Sequence, residues 1–339
     1  MKKKIPILFL VIFILAATAS GVLLARDPVS RAASQTKESV RPLTLLVLGL
    51  DSAASNTDAI LLVRYSPAEK TLSLLQLPRD TYFENGNGLP KLNHIYASLY
   101  ARTHDSTRAA KETKEQIEKA FGIPLDGCIA LRFSALSDIV DRMGGVPISL
   151  PFAMEYTDPA QDLTISLPAG ETVLSGEQAL HFVRYRSGYV EGDLGRVDAQ
   201  KLFLAAFMRR ASEKLSPFDL LPYFTAKRED LTVVFDQKSG LLPIIFDFYK
   251  NKSAVRALFA SLPGEALRDE DGVWYYVLNR AATEELLARL LARDARDFDT
   301  AGLFCRDDLH FENIYFDRGY APRILSEGDL EYLKILTKE

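Results

Sequence analysis

LTLLVLGLD, residues 43–51, is the stretch on which the fold turns. It is an apolar run of strand length closed by a glycine and an aspartate, the pattern of a buried strand that stops at a sheet edge. AILLVRYSP (59–67) and TLSLLQLPRDTYF (71–83) follow as two further strands, and the few residues between them, 66–70, fit an antiparallel hairpin. KLNHIYASLYARTH (91–104) and TRAAKETKEQIEKAFGI (107–123) then carry apolar residues at three- and four-residue spacing, as helices do. CIALRF (128–133) reads as a strand. SALSDIVDRMGG (134–145) reads as a short helix, with Ser134 as N-cap and Gly144 or Gly145 as its stop. VPISLP (146–151) and LTISL (163–167) are further strands, and Ser175-Gly176-Glu177-Gln178 is a capping box that opens another helix. A helix over residues 193–214, a strand in GVWYYVLNR (272–280) and a helix in AATEELLARLLA (281–292) complete the pattern. Strands and helices interleave without a strict βαβ period, which predicts an α/β fold with a mixed central sheet flanked by helices.

Upstream of this domain, three lysines (Lys2, Lys3, Lys4) precede an uncharged run over residues 5–25. About 20 such residues cross a bilayer core. The lysines hold the start in the cytoplasm and place the remainder outside. Ala17-Thr18-Ala19 resembles a cleavage site, but the apolar run continues past it, which favours a retained anchor over a cleaved signal peptide. The expected organisation is a cytoplasmic tip and transmembrane helix over 1–26 and a flexible polar stalk over 27–42. An extracellular catalytic domain over 43–293 and a C-terminal extension packed on it, 294–339, follow. The expected location is therefore the cell membrane, crossed once. The chain has 339 residues, 47% of them hydrophobic, and a formal charge of −4, so a nucleic-acid partner is not expected. Cys128 and Cys305 could pair outside the cell, but two isolated buried thiols are the better reading.

Against this mildly acidic background, RYRSGYVEGDLGRVDAQ (184–200) gathers Arg184, Arg186 and Arg196 with Asp193, Asp198 and Gln200. A guanidinium is always charged, and its planar fork grips phosphate oxygens in pairs. The cluster points to a di- or polyphosphate, and on an anchored extracellular domain a lipid-linked pyrophosphate leads the candidates. Arg184 and Arg186 are two apart and would diverge on one helix, so for both to reach one ligand the chain must leave the helix there. Asp193, Arg196 and Gln200 share a face of the next helix. Asp51 and Asp58 bracket a small polar loop and can together hold Mg²⁺, which favours one or two carboxylates plus phosphate oxygens. Pro78 turns the chain out of the third strand and presents Arg79, close to Asp51 if those strands are neighbours. Lys91 and Asn93 open a helix, where free N–H groups suit an anion.

These residues together resemble the LytR-CpsA-Psr family of bacterial cell-envelope phosphotransferases. The resemblance is carried by Leu48-Gly49-Leu50-Asp51, Thr57-Asp58, Pro78-Arg79-Asp80-Thr81, Lys91-Leu92-Asn93, Gly144-Gly145-Val146, Ser175-Gly176-Glu177-Gln178-Ala179-Leu180, Arg184-Tyr185-Arg186 and residues 193–200, in that order. It implies a three-layer α/β/α sandwich enclosing an apolar tunnel for a polyprenyl chain. It also implies transfer of a glycopolymer, such as wall teichoic acid or a capsular polysaccharide, from an undecaprenyl-pyrophosphate carrier to a peptidoglycan sugar hydroxyl, with Mg²⁺. On this resemblance Asp51 and Asp58 hold the metal, and Arg79, Arg184, Arg186 and Arg196 clamp the pyrophosphate with support from Gln200. Asp193 is the base for the acceptor hydroxyl, and Asp80 braces the arginines. One position departs from the pattern. The family's arginine two residues before the second metal-binding aspartate is Asn56 here, which removes a phosphate contact for which Lys91 could stand in. A hydrolase of lipid pyrophosphates could use the same residues, and a non-catalytic envelope regulator is the other alternative.

Overall fold

The strand read from residues 43–51 lies inside a seven-stranded mixed sheet. The computed structural model describes residues 41–51, 56–84, 89–150, 152–159, 163–185, 193–214, 230–236, 241–251, 254–268, 271–291 and 325–326. The expected anchor and nearly all of the stalk lie outside these. Among the described residues no helix is long and apolar enough to cross a membrane.

Strands β1 (Leu43–Leu50), β2 (Thr57–Ser66) and β3 (Thr71–Leu77) precede helices α1 (Asn93–Thr103) and α2 (Ser106–Phe121). Strand β4 (Gly127–Arg132) runs without a loop into α3 (Phe133–Arg142). Four short strands follow, β5 (Val146–Leu150), β6 (Met154–Asp158), β7 (Leu163–Leu167) and β8 (Gly170–Leu174), and then α4 (Gly176–Arg184) and α5 (Asp193–Lys214). The rest is β9 (Leu231–Phe235), α6 (Leu241–Asn251), β10 (Arg256–Ser261), β11 (Gly264–Arg268), β12 (Trp274–Leu278), α7 (Arg280–Leu291) and β13 (Leu325–Ser326).

The strand order is β13-β10-β3-β2-β1-β4-β9. β1, β2 and β3 form an antiparallel meander, closed between β2 and β3 by the predicted hairpin, in which Lys70 takes a left-handed φ of 51°. β4 adds parallel to β1, and β10 adds parallel to β3. Of the expected C-terminal extension, the structure describes β13, paired antiparallel to β10. The strands over 146–150 and 163–167 form as read but stay outside the central sheet, in the separate two-stranded antiparallel sheets β5–β8 and β6–β7.

Side-chain alternation along the strands sends alternate residues into different cores. Leu46, Leu48 and Leu50 of β1, with Ile60, Leu62, Leu75 and Leu77, pack beneath α1, α2 and α7. Leu43 and Leu45, with Val63, Tyr65, Leu72 and Leu74, pack against α5 and α6, where Tyr65 meets Phe248 edge-on at 5.0 Å. A third cluster joins α3, α4 and residues 199–211 of α5 to the small two-stranded sheets. Helices therefore cover both faces of the mixed sheet. The Tyr65 hydroxyl donates to Asp247 on α6 at 2.7 Å, and burial together with that carboxylate pushes its pKa up. Cys128 is fully buried and not in a disulfide, with its thiol pushed up by burial, while Cys305 lies outside the described residues.

Two local features follow the sequence closely. Ser175 Oγ accepts from the Gln178 amide at 3.3 Å while Gln178 Oε1 accepts from the Ser175 amide at 3.0 Å, so the capping box closes. Gly144 and Gly145, with φ of 70° and 82°, stop α3, and Arg210 of α5 donates to the carbonyls of Met143, Gly144 and Gly145. The start of α3 differs from expectation. Arg132, with extended backbone, is the N-cap, and the Ser134 hydroxyl donates to Asp230 at 3.1 Å instead. The strand feeds its last residue directly into the helix, so no separate capping residue intervenes.

Candidate active site

β1, β3, β4 and β10 point the same way, so their carboxyl ends share one edge of the sheet with the starts of β2 and β9. In open α/β sheets ligands bind in the crevice beyond such ends. Asp51 follows β1 on this edge, Asp58 lies at the start of β2, and Arg79 leaves β3.

β2 stands between β1 and β3, so Arg79 does not emerge beside Asp51 as neighbouring strands would place it. Its guanidinium Nη1 instead forms an ion pair with Asp58 Oδ1. The register explains why Asp58 is available. Gly49 faces Ala59 but Leu50 faces Thr57, which leaves Asp58 as the extra residue of a bulge. Bulges re-aim a side chain near functional sites. Gly49 allows the close packing here, because a Cβ there would lie 3.0 Å from the Ala59 Cβ and 3.1 Å from the Phe133 ring.

The ion pairs continue. Arg79 Nε lies 3.5 Å from Asp80 Oδ2, and Lys91 Nζ lies 3.1 Å from Asp80 Oδ1. Arg79 Nε is buried and makes no hydrogen bond, as is also true of Asn93 Oδ1 and Thr57 Oγ1. Buried polar atoms are nearly always satisfied, so the Arg79 N–H keeps the capacity for a further acceptor. The segment is held firmly. The Thr81 hydroxyl donates to the Pro78 carbonyl at 2.6 Å, and the Asn93 amide donates to the Arg79 carbonyl at 3.0 Å, which docks the start of α1 against the arginine. Lys91 Nζ sits 5.3 Å over the Tyr275 ring, which in turn meets Tyr82 edge-on. Lys91 and Asn93 thus border Arg79, and Asp80 braces both cations.

Burial lowers the pKa of His94, and the nearby Lys91 charge adds to this while Asp80 opposes it. The folded chain then resists protonation that the unfolded chain accepts at about pH 6.5. Stability should fall as pH drops from 7 to 5, and His94→Gln should flatten that slope in denaturant titrations at the two pH values.

On the other face of the sheet, α4 ends at Arg184 and Tyr185 turns extended, with φ −62° and ψ 138°, so the helix stops where the spacing of Arg184 and Arg186 placed its end. Arg184 is exposed, and Arg186 lies outside the described residues. Asp193 and Arg196 fall in the first turns of α5, where the backbone alone is described. Gln200 is engaged at both ends of its amide. Its Oε1 accepts from Gln76 of β3 at 2.6 Å and its Nε2 donates to the Val183 carbonyl at 2.9 Å. Gln200 therefore ties the sheet to the end of α4, one peptide from Arg184.

Asp51 and Asp58 bracket a loop closed by a bond of 3.2 Å from the Asp51 amide to the Asn56 carbonyl. The donors offered are hard carboxylate oxygens, which suit Mg²⁺. Among the described residues no group of three or more His, Cys, Asp or Glu gathers, so phosphate oxygens and water would complete such a site.

Residue reading did not single out Arg132. It ends β4 in register with Leu50, directly beside the strand that delivers Asp51. Its only sequence signal was its place at the end of an apolar strand.

Carboxylates and guanidinium groups gathered beyond the carboxyl ends of a mixed sheet define an α/β protein suited to an anionic ligand. The chain belongs to the LytR-CpsA-Psr family: the family model described as LytR_cpsA_psr matches residues 10–291. It is 28% identical over 279 residues to TagU of Bacillus cereus, named polyisoprenyl-teichoic acid–peptidoglycan teichoic acid transferase, covering 79% of this chain and 84% of that one. TagV of Bacillus subtilis, with the same transferase name, is 30% identical over 182 residues, 51% of this chain and 44% of that one. Among solved structures, protein gbs0355 from Streptococcus agalactiae shares the fold with a TM-score of 0.65 at 19% identity, over 84% of this chain and 99% of that one. The B. subtilis TagV crystal structure aligns with a TM-score of 0.56 at 24% identity, over 76% of this chain and all of that one, 100%.

Proposed function

We propose that this chain is an Mg²⁺-dependent phosphotransferase that moves a glycopolymer from a polyprenyl-pyrophosphate carrier to a sugar hydroxyl of peptidoglycan. It acts outside the cell from an N-terminal membrane helix, with residues 43–293 as the catalytic domain. Arg79 carries the reading. It is half-buried at the carboxyl edge, held between Asp58 and Asp80, with a buried N–H left for an acceptor. The transferase names of the relatives support the substrate class.

In the proposed reaction the acceptor oxygen attacks the phosphorus that bears the glycopolymer. The bridging P–O bond to the lipid phosphate breaks, a phosphodiester forms and polyprenyl phosphate leaves. Asp193 takes the hydroxyl proton. Arg79, Arg184, Arg186 and Arg196 orient the pyrophosphate and offset charge on the leaving side, since phosphoryl transfer depends on positioning and electrostatics more than on a protein nucleophile. Asp51 and Asp58 would hold Mg²⁺, which supplies further charge neutralisation when bound.

The test is product analysis with purified full-length protein, a lipid-pyrophosphate-linked glycan and peptidoglycan fragments. A glycan–phosphodiester–peptidoglycan adduct is the expected product, and free glycan phosphate regardless of acceptor would make the chain a hydrolase. Asp58→Ala should remove metal-dependent transfer while leaving the thermal midpoint near that of the parent. An unchanged Mg²⁺ response in a folded Asp51→Ala/Asp58→Ala protein would rule out this metal assignment.

A further inference from the structure

Four strand ends follow one another across the carboxyl edge: Arg79 after β3, Asp58 at the start of β2, Asp51 after β1 and Arg132 at the end of β4. The charges run cation, acid, acid, cation. We propose that Arg132 is a further pyrophosphate-binding arginine, the second at the sheet edge, gripping the ligand from the β4 flank opposite Arg79; this rests on the phosphotransferase reading above.

Three observations carry it. Arg132 pairs in parallel register with Leu50, so it stands one strand from Asp51, about 4.8 Å across the sheet. Register partners project to the same face, and Cys128, Ala130 and Leu50 on that face pack in the core beneath α1 and α2. Arg132 therefore stands on the side of the sheet where α1 brings Lys91 and Asn93, and its charge is felt at the Tyr96 phenol of α1. Arg132 is also the N-cap of α3, in extended conformation and with no side-chain capping bond. The first amides of a ten-residue helix thus open at the same edge. A helix start favours an anion, and the Thr57 hydroxyl, 1% exposed and without a hydrogen bond, lies in the same row across the sheet, Thr57 facing Leu50 and Leu50 facing Arg132.

The row has a functional consequence. Two carboxylates side by side repel a pyrophosphate unless cations offset them. Arg79 is already shared between Asp58 and Asp80, and Lys91 with Asp80, so the β3 flank carries two cations against two carboxylates. Asn56 adds no charge to the loop between Asp51 and Asp58. Arg132 supplies a cation on the Asp51 side, so both phosphates of the ligand, rather than one, meet a guanidinium at the sheet edge.

The test measures binding of geranylgeranyl pyrophosphate and geranylgeranyl monophosphate to the full-length protein in detergent with Mg²⁺. Arg132→Gln should weaken pyrophosphate binding about tenfold or more, the loss of one charge-assisted contact, and monophosphate binding by less than about threefold. Arg132→Lys keeps the charge and the stem but loses the fork, so it should fall between Arg132→Gln and the parent at an unchanged thermal midpoint. It also keeps the test open if the glutamine variant folds poorly. Arg79→Lys is the reference. Parental pyrophosphate affinity in a folded Arg132→Lys or Arg132→Gln protein, with a clear loss in Arg79→Lys, overturns the proposal alone. Parental affinity in all three overturns the pyrophosphate-site reading with it. Equal losses for both lipids would make Arg132 a general support of the edge and also overturn the proposal.

Discussion

Arg79→Ala should lower glycopolymer transfer by about 10²–10³-fold, the range seen when one preorganised donor to a developing charge is removed. Two losses add in this variant. The guanidinium no longer meets the pyrophosphate, and Asp58 and Asp80 lose the cation between them. Asp58 then turns from a fixed carboxylate into one that repels the incoming phosphate. Arg79→Lys should recover part of the rate, because an ammonium can neutralise one carboxylate but cannot span both with a planar fork. Asp80→Asn should cost less, about tenfold, since Arg79 retains Asp58 while Lys91 loses its partner. Single-turnover transfer assays on the three variants order these effects. A rate for Arg79→Ala within about threefold of the parent would show that Arg79 serves only to seat the bulged Asp58. The same site should respond to salt in a graded way. The pairs on Asp80 are partly exposed, so ionic strength screens them more than contacts buried under a bound lipid.

Much of this edge is legible in the sequence, but unevenly. Period-two and period-three-to-four patterns are local, and they located β1 to β4, the long helices and the capping box at Ser175 with little displacement. Glycines at 144 and 145 announced the end of α3 because only a residue without Cβ sits easily at φ of 70° and 82°. Strand order is a different kind of information. Nothing in the composition of residues 43–83 says that β2 lies between β1 and β3 while β4 pairs from the far side. That order decides that Arg79 meets Asp58 and not Asp51. The bulge at Asp58 was hidden for the same reason, since it exists only as a mismatch between two strands. Gln200 was legible as a member of the arginine-rich stretch 184–200. Its bonds to Gln76 and Val183 depend on how α5 crosses the sheet, and they turn it toward positioning the end of α4. Arg132 was passed over because an arginine ending an apolar strand resembles any surface residue until register sets it beside Asp51.

The largest stability effect should come from Gly176→Ala. Gly176 is the first residue of α4, and its amide donates to Asp141 Oδ1 of α3 at 2.7 Å. A Cβ there would lie 2.3 Å from the Ser137 carbonyl oxygen and 2.4 Å from the Ser137 hydroxyl. The hydroxyl can rotate away, but the carbonyl is part of α3 and cannot, so the two helices must separate and the amide bond to Asp141 must stretch. Overpacking of this kind costs about 3 kcal/mol at the upper end of its usual range. For a domain of this size that lowers the thermal midpoint by roughly 6–12 °C. Gly170→Ala is the matched comparison. Gly170 has a φ of 96° but open space around its missing Cβ, so it should lose only the conformational part, about 1–2 kcal/mol. The difference between the two variants isolates helix–helix contact from backbone preference. It also bears on chemistry, because α4 carries Arg184 at its far end and Gln200 fixes that end to the sheet. With the front of α4 pushed outward and its end tethered, the helix must tilt about the Val183–Gln200 bond. Gly176→Ala should therefore weaken pyrophosphate binding even at temperatures where it is fully folded, whereas Gly170→Ala, in the two-stranded β5–β8 sheet, should leave binding unchanged.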